Sequence, residues 1–336
     1  MSATIQDVAK QARVSTATVS RALRGLPSVS PATRDQIIHI AEELGYDIKP
    51  VVSRLARGRK VVGMVAPMVD QWFFSKLVAV AELELMQRDC DLVRYSVDSL
   101  QSQESLLRHL VARKLVDGLI LCSLAPTEAT VEIIHSSSVA VATVETGFPG
   151  APSVSIDNEA AAELATLHLI NLGHRRIGFI TGMADAPLQF AIPRARKRGY
   201  RRALHESGIE YRADLEQPGN YVYAGGAEAM QKLFGRRNPP TAVFALSDEM
   251  AIGALKAVRD MKLRVPEDIS IIGFDDNDVS EFVGLTTIHQ PVVKFAEVAV
   301  QQIVEQFEGK TPGEVASVEL ESKLIVRETT APPPRR

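Results

Sequence analysis

The sequence predicts a small helical N-terminal domain followed by a two-lobed α/β core of doubly wound parallel sheets. Residues 4–45 contain three short amphipathic helical patterns and no strand pattern. From residue 61 onward, apolar strand patterns alternate with helical patterns, which is typical of parallel sheets covered by helices on both faces. The strands are too many for one small domain, so we expect two lobes.

Composition and length exclude several classes of protein. A chain of 336 residues is long enough for two or three domains. Its longest apolar run, residues 61–69, is far shorter than the ~18 residues that cross a bilayer. The N-terminus lacks the basic and then apolar pattern of a signal peptide. The two cysteines, Cys90 and Cys122, form no CxxC motif. We therefore expect a soluble, cytoplasmic protein without membrane segments or a disulfide framework.

Charge is distributed unevenly along the chain. Residues 1–60 carry ten Lys or Arg and five Asp or Glu, a net charge of +5. The remaining residues carry 28 Lys or Arg and 36 Asp or Glu, a net charge of −8. A basic segment on an acidic body indicates that the N-terminal segment meets a polyanion.

Capping residues define the three N-terminal helices. Thr4 is a good N-cap, and Asp7 three residues later completes a capping-box pattern. Ser15 can cap the second helix, and Ser30, followed by a proline, can cap the third. The predicted helices run over about residues 5–12, 16–24 and 31–44.

The later elements alternate regularly. Strands are predicted at residues 61–66, 92–96, 118–122, 139–144, 177–181, 241–246 and 269–274. Helices are predicted at residues 73–88, 103–113, 158–172, 194–207, 248–261 and 292–307. The Pro-rich residues at the C-terminal end predict a disordered tail.

The first two helices form a helix-turn-helix pattern. Thr16, Ala17 and Arg21 lie on the face of the second helix opposite the apolar Val19 and Leu23. In such a motif the second helix enters the major groove of DNA, where an arginine can donate two hydrogen bonds to guanine. The alternative is a capped helix pair whose polar face meets only water. Short hydroxyl side chains nearby are suited to phosphate contacts: Ser15, Thr18, Ser20 and Thr33.

Residues 4–60 resemble the DNA-binding headpiece of the LacI/GalR family of bacterial transcriptional regulators. The matching segments are TIQDVAKQARVSTATVSRAL (4–23) and VSPATRDQIIHIAEELGY (29–46). The resemblance implies base contacts from Thr16, Ala17 and Arg21. Arg24 stands where the family often has asparagine, and Lys49 is a further candidate for phosphate. The resemblance implies phosphate contacts from Thr4, Ser15, Thr18, Ser20, Ser30, Thr33 and Tyr46.

Residues 50–58, PVVSRLARG, resemble the hinge helix of the same family. A helix of about eight residues is too short to be stable alone in water, so we expect it to fold on binding. The resemblance makes Leu55 a wedge inserted into the minor groove at the operator centre. The alternative is a flexible basic linker.

Residues 61–327 resemble the core of the family, which shares its fold with periplasmic sugar-binding proteins. The motifs that carry this resemblance are WFF (72–74), LGHRRIGFITG (172–182), ALSDEMAIGA (245–254), VPEDISIIGFDD (265–276) and LTTIHQP (285–291). In this fold two lobes clamp a small ligand at the carboxyl ends of their strands.

Effector contacts follow from the resemblance position by position. Arg194 matches an arginine that donates to the effector, and Asp275 matches an aspartate that accepts from its hydroxyl groups. Aromatic contacts are expected from Phe73, Phe74 and Tyr221. Two further cleft residues are Ser247, which replaces a frequent asparagine, and Glu145. Trp72 replaces a proline beside this site. For each of these residues, the alternative is a surface ion pair or a core ring.

Motifs for catalysis or cofactors are missing from the sequence. HExxH, CxxC, GxSxG, GxxxxGK[ST] and GxGxxG do not occur, and the seven histidines lack metal-ligand spacing. We therefore expect no catalytic residues, no metal and no cofactor.

These observations predict a dimeric, DNA-binding transcriptional regulator, most simply a repressor of carbohydrate genes. It would bind a near-palindromic operator and be switched by a sugar or sugar derivative between the lobes. The lack of a C-terminal leucine heptad favours a dimer over a tetramer. The alternative is a stand-alone sugar-binding protein. The predicted parts are a headpiece (1–48), a hinge (49–60), a core (61–327) and a disordered tail (328–336).

Overall fold

The computed structural model describes residues 4–23, 28–44, 46, 59–67, 70–124, 127–183 and 191–334. For these residues it confirms the predicted fold class, a helical N-terminal domain and two α/β lobes. The predicted hinge segment 50–58 with Leu55, and the predicted DNA contacts Arg24 and Lys49, lie outside the described residues.

Three helices form the N-terminal domain, and the predicted caps are present. They are α1 (Ile5–Ala12), α2 (Thr16–Leu23) and α3 (Pro31–Glu43). The Asp7 carboxylate accepts hydrogen bonds from the backbone N–H of Thr4 at 2.8 Å and from its hydroxyl at 2.6 Å. Ser15 Oγ accepts from the backbone N–H of Thr18 at 3.0 Å. These bonds fix the start of α1 and of α2.

Small and branched apolar side chains close the core of this domain. Arg13 turns the chain between α1 and α2 in the left-handed region, with φ 54°. The buried residues are Val8, Ala9, Ala12, Val19, Ala22, Leu23, Val29, Ile37, Ile38, Ile40 and Ala41. Since Val19 and Leu23 are anchored in this core, the opposite face of α2 is held outward.

The α/β part begins at residue 60. Its elements in order are β1 (Lys60–Ala66), α4 (Trp72–Met86), β2 (Cys90–Ser96), α5 (Leu100–Ala112), β3 (Gly118–Cys122), α6 (Glu128–His135), β4 (Ala140–Val144), β5 (Ser153–Ile156), α7 (Asn158–Asn171), β6 (Ile177–Thr181), α8 (Ala191–Glu206), β7 (Glu216–Pro218), α9 (Tyr223–Phe234), β8 (Ala242–Ala245), α10 (Asp248–Asp260), β9 (Ser270–Asp275), β10 (Thr286–His289), α11 (Val292–Phe307), β11 (Val318–Leu320) and β12 (Lys323–Ile325).

Two six-stranded sheets define the lobes. The first lobe has the order β11-β5-β4-β3-β1-β2, and the second has the order β12-β10-β9-β8-β6-β7. All pairings are parallel except β10 with β12. The chain passes between the lobes after β5, after β10 and after β11. The carboxyl ends of the parallel strands of each lobe therefore lie at one edge, where open α/β sheets bind ligands.

Both sheets are covered by helices, which explains their continuous apolar strands. Every residue of β3 and of β9 is buried. Strands buried on both faces do not alternate apolar and polar residues. Among the residues described above, no helix is both long and apolar enough to span a bilayer.

Helix α9 is not among the helices predicted above, and its sequence contains two adjacent glycines, which weaken a helix. The reason for one of them lies in its packing against α10. A Cβ atom added at Gly226 would lie 2.1 Å from the backbone oxygen of Met250, and one added at Gly253 would lie 1.9 Å from that of Tyr223. Glycine thus allows α9 and α10 to pack backbone to backbone, which fixes the start of α10 beside β9.

The C-terminal segment differs from the predicted disordered tail. Residues 328–334 dock on the second lobe through hydrogen bonds. His174 Nε2 lies 2.9 Å from the backbone oxygen of Ala331, and His168 Nε2 lies 2.9 Å from Thr330 Oγ1. Thr329 Oγ1 donates to the backbone oxygen of Ile271 at 2.7 Å. Composition could not predict this, because the partners are polar groups of the second lobe that lie far away in sequence.

We expect His174 to make the folding stability depend on pH. Burial lowers the pKa of His174, so the folded state keeps the ring neutral to a lower pH than the unfolded state does. Its contribution is present above the unfolded pKa of about 6.5 and is lost as pH falls from there towards the lower folded pKa. Urea unfolding at about pH 8 and about pH 5.5 measures this loss.

His174→Gln keeps a hydrogen-bonding side chain that does not titrate, so this variant should lose less unfolding free energy over that pH range. His109→Gln, on the exposed face of α5, is the matched control and should behave as the unmodified protein. An unchanged pH dependence in His174→Gln would contradict the prediction.

Candidate functional site

The outer face of α2 presents the predicted base-reading side chains. Thr16, Ala17 and Arg21 are exposed, whereas Val19 and Leu23 on the opposite face are buried. This is the arrangement that a recognition helix needs to bring side chains to base edges. Their contact with DNA stays a prediction.

Other predicted DNA contacts belong to the same helical domain. Thr4 and Ser15 are exposed, and the half-buried residues are Thr18, Ser20, Thr33 and Tyr46. The hydroxyl groups of Ser15 and Thr18 lie 2.9 Å apart. A hydroxyl in such a pair still has lone pairs or a proton to offer, so these positions remain candidates for phosphate contacts.

A cleft of about 540 Å³, including its open mouth, lies between the two lobes. Its polar lining comes largely from the carboxyl ends of strands in both lobes. Ser123 follows β3, Glu145 follows β4, Asp275 ends β9 and Gln290 follows β10. The complete lining is Gln71, Phe73, Phe74, Ser123, Glu145, Ile192, Pro193, Arg196, Tyr221, Leu246, Ser247, Glu249, Asp275 and Gln290.

Four cleft residues have unusual backbone conformations. Ser123, Glu145, Tyr221 and Asp275 have φ values of 55°, 68°, 58° and 132°. Residues other than glycine rarely adopt positive φ, because the side chain then crowds the backbone. Such strain is typical of binding sites, where the surrounding fold holds a side chain in the required direction.

Arg196 is the only buried cation among the lining residues named above, and two of its three side-chain nitrogens donate hydrogen bonds within the protein. Nε donates to Asn158 Oδ1 at 2.8 Å, and Nη1 donates to the backbone oxygen of Leu246 at 2.9 Å. The guanidinium lies over the ring of Phe274, 3.6 Å from its centroid. Asn158 Nδ2 in turn donates to Glu145 Oε2. This chain of bonds joins the end of β4 in the first lobe to α8 in the second.

Arg194 does not take the position expected from the resemblance. Its side chain is exposed and lies in a separate depression beside the cleft, near Asp157 and Arg198. Two residues along a helix correspond to a rotation of about 200°. Arg194 and Arg196 therefore face opposite sides of α8, and the arginine in the cleft is Arg196.

Asp275 is buried among other acids. Its Oδ1 accepts from Gln290 Nε2 at 2.6 Å. Burial raises the pKa of the Asp275 carboxyl well above its usual range, the carboxylates of Asp248 and Glu249 raise it further, and Arg196 lowers it. Gln290 Oε1 is buried without a hydrogen-bond partner among the described residues. A buried acceptor of this kind needs a donor, which a bound ligand can supply.

Glu145 is in a similar situation on the other side of the cleft. Burial raises the pKa of its carboxyl, whereas Arg196 and the hydrogen bond from Asn158 lower it. Both acids therefore depend on the same guanidinium for their charged form.

Aromatic side chains form an apolar wall. Phe73 and Phe74 pack edge to face with ring centroids 5.2 Å apart. The ring of Tyr221 covers Gly182, where an added Cβ would lie 2.2 Å from the ring. Burial raises the pKa of Tyr221 to about 12, so its hydroxyl stays protonated at neutral pH. These rings can pack on the apolar face of a ligand.

Ser247 and Trp72 make hydrogen bonds at the N-terminal ends of α10 and α4, respectively. Ser247 Oγ accepts from the backbone N–H of Met250 at 3.3 Å and caps α10. Trp72 does not line the cleft. Its backbone N–H donates to Glu249 Oε1 at 2.9 Å, and its indole Nε1 donates to Asp278 Oδ2 at 3.1 Å.

The cleft thus contains five of the six predicted effector residues, and their binding role stays a prediction. Several lining residues were not predicted, among them Ser123, Arg196, Glu249 and Gln290. The sequence contained a sign of Ser123, because it is a polar residue directly after the predicted strand 118–122. Gln290 likewise directly follows a strand, β10. No group of three or more His, Cys, Asp or Glu side chains able to hold a metal occurs within the described ranges.

Models of two protein families match the chain. Residues 4–47 match "Bacterial regulatory proteins, lacI family", and residues 166–330 match "Periplasmic binding protein-like domain". The two matches coincide with the helical domain and with much of the α/β core.

Relatives of known function match over nearly the whole chain. Catabolite control protein A from Priestia megaterium is 35% identical over 98% of this chain and 100% of its own length. The HTH-type transcriptional repressor CytR from Escherichia coli K12 is also 35% identical, over 98% of this chain and 96% of its own.

Solved structures agree with these matches. The lac repressor dimer bound to operator and the anti-inducer ONPF has a TM-score of 0.73 and 26% identity, covering 98% of this chain and 100% of the other. A complex of the transcriptional regulator CelR with cellobiose has a TM-score of 0.69 and 31% identity, covering 97% and 99%. A LacI family regulator from Enterococcus faecium with bound ribose has a TM-score of 0.70 and 27% identity, covering 81% and 99%.

Substituting the two arginines of α8 should separate their roles. Arg196→Met leaves Asn158 Oδ1 and the Leu246 oxygen without a buried donor and removes the cation that faces Glu145. We expect a loss of about 2–4 kcal/mol of unfolding free energy. Arg194→Met, on the exposed side of the same helix, should change it by less than about 0.5 kcal/mol. Urea unfolding measures both values, and equal losses would contradict the assignment of Arg196.

Proposed function

The chain belongs to the lacI family of bacterial regulatory proteins, and on that premise we propose that it is a repressor of carbohydrate-metabolism genes. A small molecule bound in the cleft would switch its affinity for operator DNA. The observation that carries this proposal is that one chain joins an exposed recognition helix to a two-lobed cleft. In that cleft the buried acceptor Gln290 Oε1 has no hydrogen-bond partner among the described residues. A stand-alone sugar-binding protein does not need an exposed recognition helix.

The DNA side of the proposal rests on α2 and on the basic N-terminal segment. Arg21 would read guanine, Thr16 and Ala17 would contact neighbouring bases, and the hydroxyl side chains would bind phosphates. Leu55, in the predicted hinge, would open the centre of the operator. We propose the parts 1–48, 49–60 and 61–327 as headpiece, hinge and core.

The charge of the cleft favours an uncharged, hydroxyl-rich effector. The lining contains three carboxyl groups, from Glu145, Glu249 and Asp275, and one guanidinium, from Arg196. Since Arg196 already donates to Asn158 and to Leu246, the cleft offers more acceptors than donors. A phosphate or carboxylate would add negative charge beside buried acids whose pKa values burial already raises, and Arg196 has only some of its donors left to bind it. Two structural neighbours hold cellobiose and ribose, which are uncharged sugars.

We further propose that the protein acts as a homodimer in the bacterial cytoplasm and is not an enzyme. Two copies would match the two halves of a near-palindromic operator. The exposed surface of α4 carries Leu83 and Met86 on one helical face, and Phe282 of the second lobe is 87% exposed. Exposed apolar side chains of this kind are suited to a contact with a second copy.

Replacing Arg21 should weaken specific DNA binding. We expect Arg21→Ala to cost about 1–3 kcal/mol in affinity for the operator and to relax the preference at one base pair. A gel shift against fragments of the host's own upstream DNA identifies the operator, and titration at fixed salt gives the affinity. Arg259→Ala, exposed on α10, is the control and should leave binding unchanged. If no fragment is retarded at low salt, the regulator proposal fails.

Sugars without phosphate should stabilise the protein, and their phosphates should not. A thermal-shift screen with matched pairs of free sugars and sugar phosphates tests this. A ligand at 100 times its Kd adds about 2.7 kcal/mol to stability. Arg196→Met should abolish the shift given by a sugar, and Arg194→Met should keep it. A sugar phosphate that stabilises the protein when its parent sugar does not would overturn the charge argument.

A further inference from the structure

The first turn of α4 in the first lobe makes direct bonds to the second lobe at the rim of the effector cleft. Trp72 Nε1 donates to Asp278 Oδ2 at 3.1 Å, and Lys76 Nζ lies 3.3 Å from the same oxygen. The backbone N–H of Trp72 donates to Glu249 Oε1 at 2.9 Å. The bonded residues are 177 to 206 positions apart in sequence. Such bonds exist only while the lobes are closed.

The start of α4 depends on the other lobe for its cap. The first N–H groups of a helix have no acceptor within the helix. The residue before α4, Gln71, makes no capping hydrogen bond with its side chain. The acceptor for Trp72 is instead Glu249, in the first turn of α10. Opening the cleft would therefore leave the N-terminus of α4 uncapped, so closure and helix capping are coupled.

Asp278 is well placed to hold both donors. Its side chain is 67% exposed, and that of Lys76 is 37% exposed. The hydrogen bonds from Trp72 and Lys76 lower the pKa of the Asp278 carboxyl, so it is charged at neutral pH. A charged acceptor strengthens the bond from the indole N–H.

We propose that Trp72, Lys76 and Asp278 form a lobe latch that holds the two lobes closed without an effector. The bond between Trp72 and Glu249 adds to it at the rim of the cleft. The latch sets the fraction of molecules that are closed before the effector binds. The apparent affinity of any ligand that prefers closed lobes is proportional to that fraction. The latch is thus a positioning device for the effector site, although neither Trp72 nor Asp278 lines the cleft.

The chain itself supplies the reporter, because Trp72 is its single tryptophan. The tryptophan fluorescence of the protein therefore reports on the surroundings of the Trp72 indole. In the effector-free full-length protein, Asp278→Ala should shift the emission to the red and make it more accessible to acrylamide. The ratio of open to closed molecules should rise by about five- to tenfold. Asp278→Asn keeps an oxygen acceptor but no charge, so its emission and its accessibility to acrylamide should lie between those of the unmodified protein and those of Asp278→Ala.

A second measurement separates local exposure of the indole from opening of the lobes. Small-angle X-ray scattering of the double variant Glu249→Ala/Asp278→Ala, which removes both acceptors of Trp72, should show a larger radius of gyration than the unmodified protein. Glu281→Gln removes an exposed charge three residues further on and is the matched control for both measurements. Trp72→Phe keeps an apolar ring but lacks the indole N–H donor, so its radius of gyration should also be larger than that of the unmodified protein.

The latch is overturned if the double variant has the same radius of gyration as Glu281→Gln, even if its emission shifts, because the indole contact then does not hold the lobes. Its effect on operator binding rests on the proposed function. An open double variant whose operator affinity, without effector, equals that of Glu281→Gln would leave the latch standing and refute the coupling between lobes and headpiece.

Discussion

The buried guanidinium of Arg196 is the constraint on which the cleft depends. A charge removed from water must be paired, and here it is held by Asn158, by the Leu246 backbone oxygen and by the ring of Phe274. Through Asn158 the same network reaches Glu145 at the end of β4 in the other lobe. The network thereby joins Glu145 of the first lobe to Arg196 of the second lobe, close to the point after β5 where the chain crosses between the lobes. A ligand in the cleft must fit this network of fixed charges, which is why an electroneutral, donor-rich molecule suits it.

Closure of the lobes is supported from two sides of the cleft. The Arg196 network lies inside it, and the contacts of Trp72 with Glu249 and Asp278 lie at its rim. The bonds of Trp72 with Glu249 and Asp278 join residues of different lobes and are lost when the lobes separate. Within the Arg196 network, the bond from Asn158 to Glu145 is the one that joins the two lobes. An effector can change the equilibrium only by its different affinity for the open and closed states. The more free energy the contacts between the lobes contribute to closure, the larger the difference in affinity that an effector needs in order to shift the equilibrium towards the open state.

Elements with a regular pattern could be predicted, and exceptions had specific causes. Strands β3 and β6 agree with the predicted limits, since their apolar runs are bounded by turn residues. Helix α9 was missed because glycines that allow its close packing on α10 look like helix breakers. Residues 328–334 were expected to be disordered, yet they are held by His168, His174 and the backbone oxygen of Ile271 in the second lobe. The partners of that segment cannot be read from its own composition.

The sequence by itself determined the order of helices and strands, the caps of the N-terminal helices and the exposed face of α2, because these follow from spacing within one element. The resemblance to the lacI family also placed Asp275, Ser247 and the aromatic residues in the cleft. Only the tertiary structure decided which arginine of α8 is buried, since Arg194 and Arg196 differ by a rotation about the helix axis that packing alone fixes. The contacts of Trp72 with the second lobe were likewise decided in space, because a hydrogen bond between residues about 200 positions apart has no local pattern.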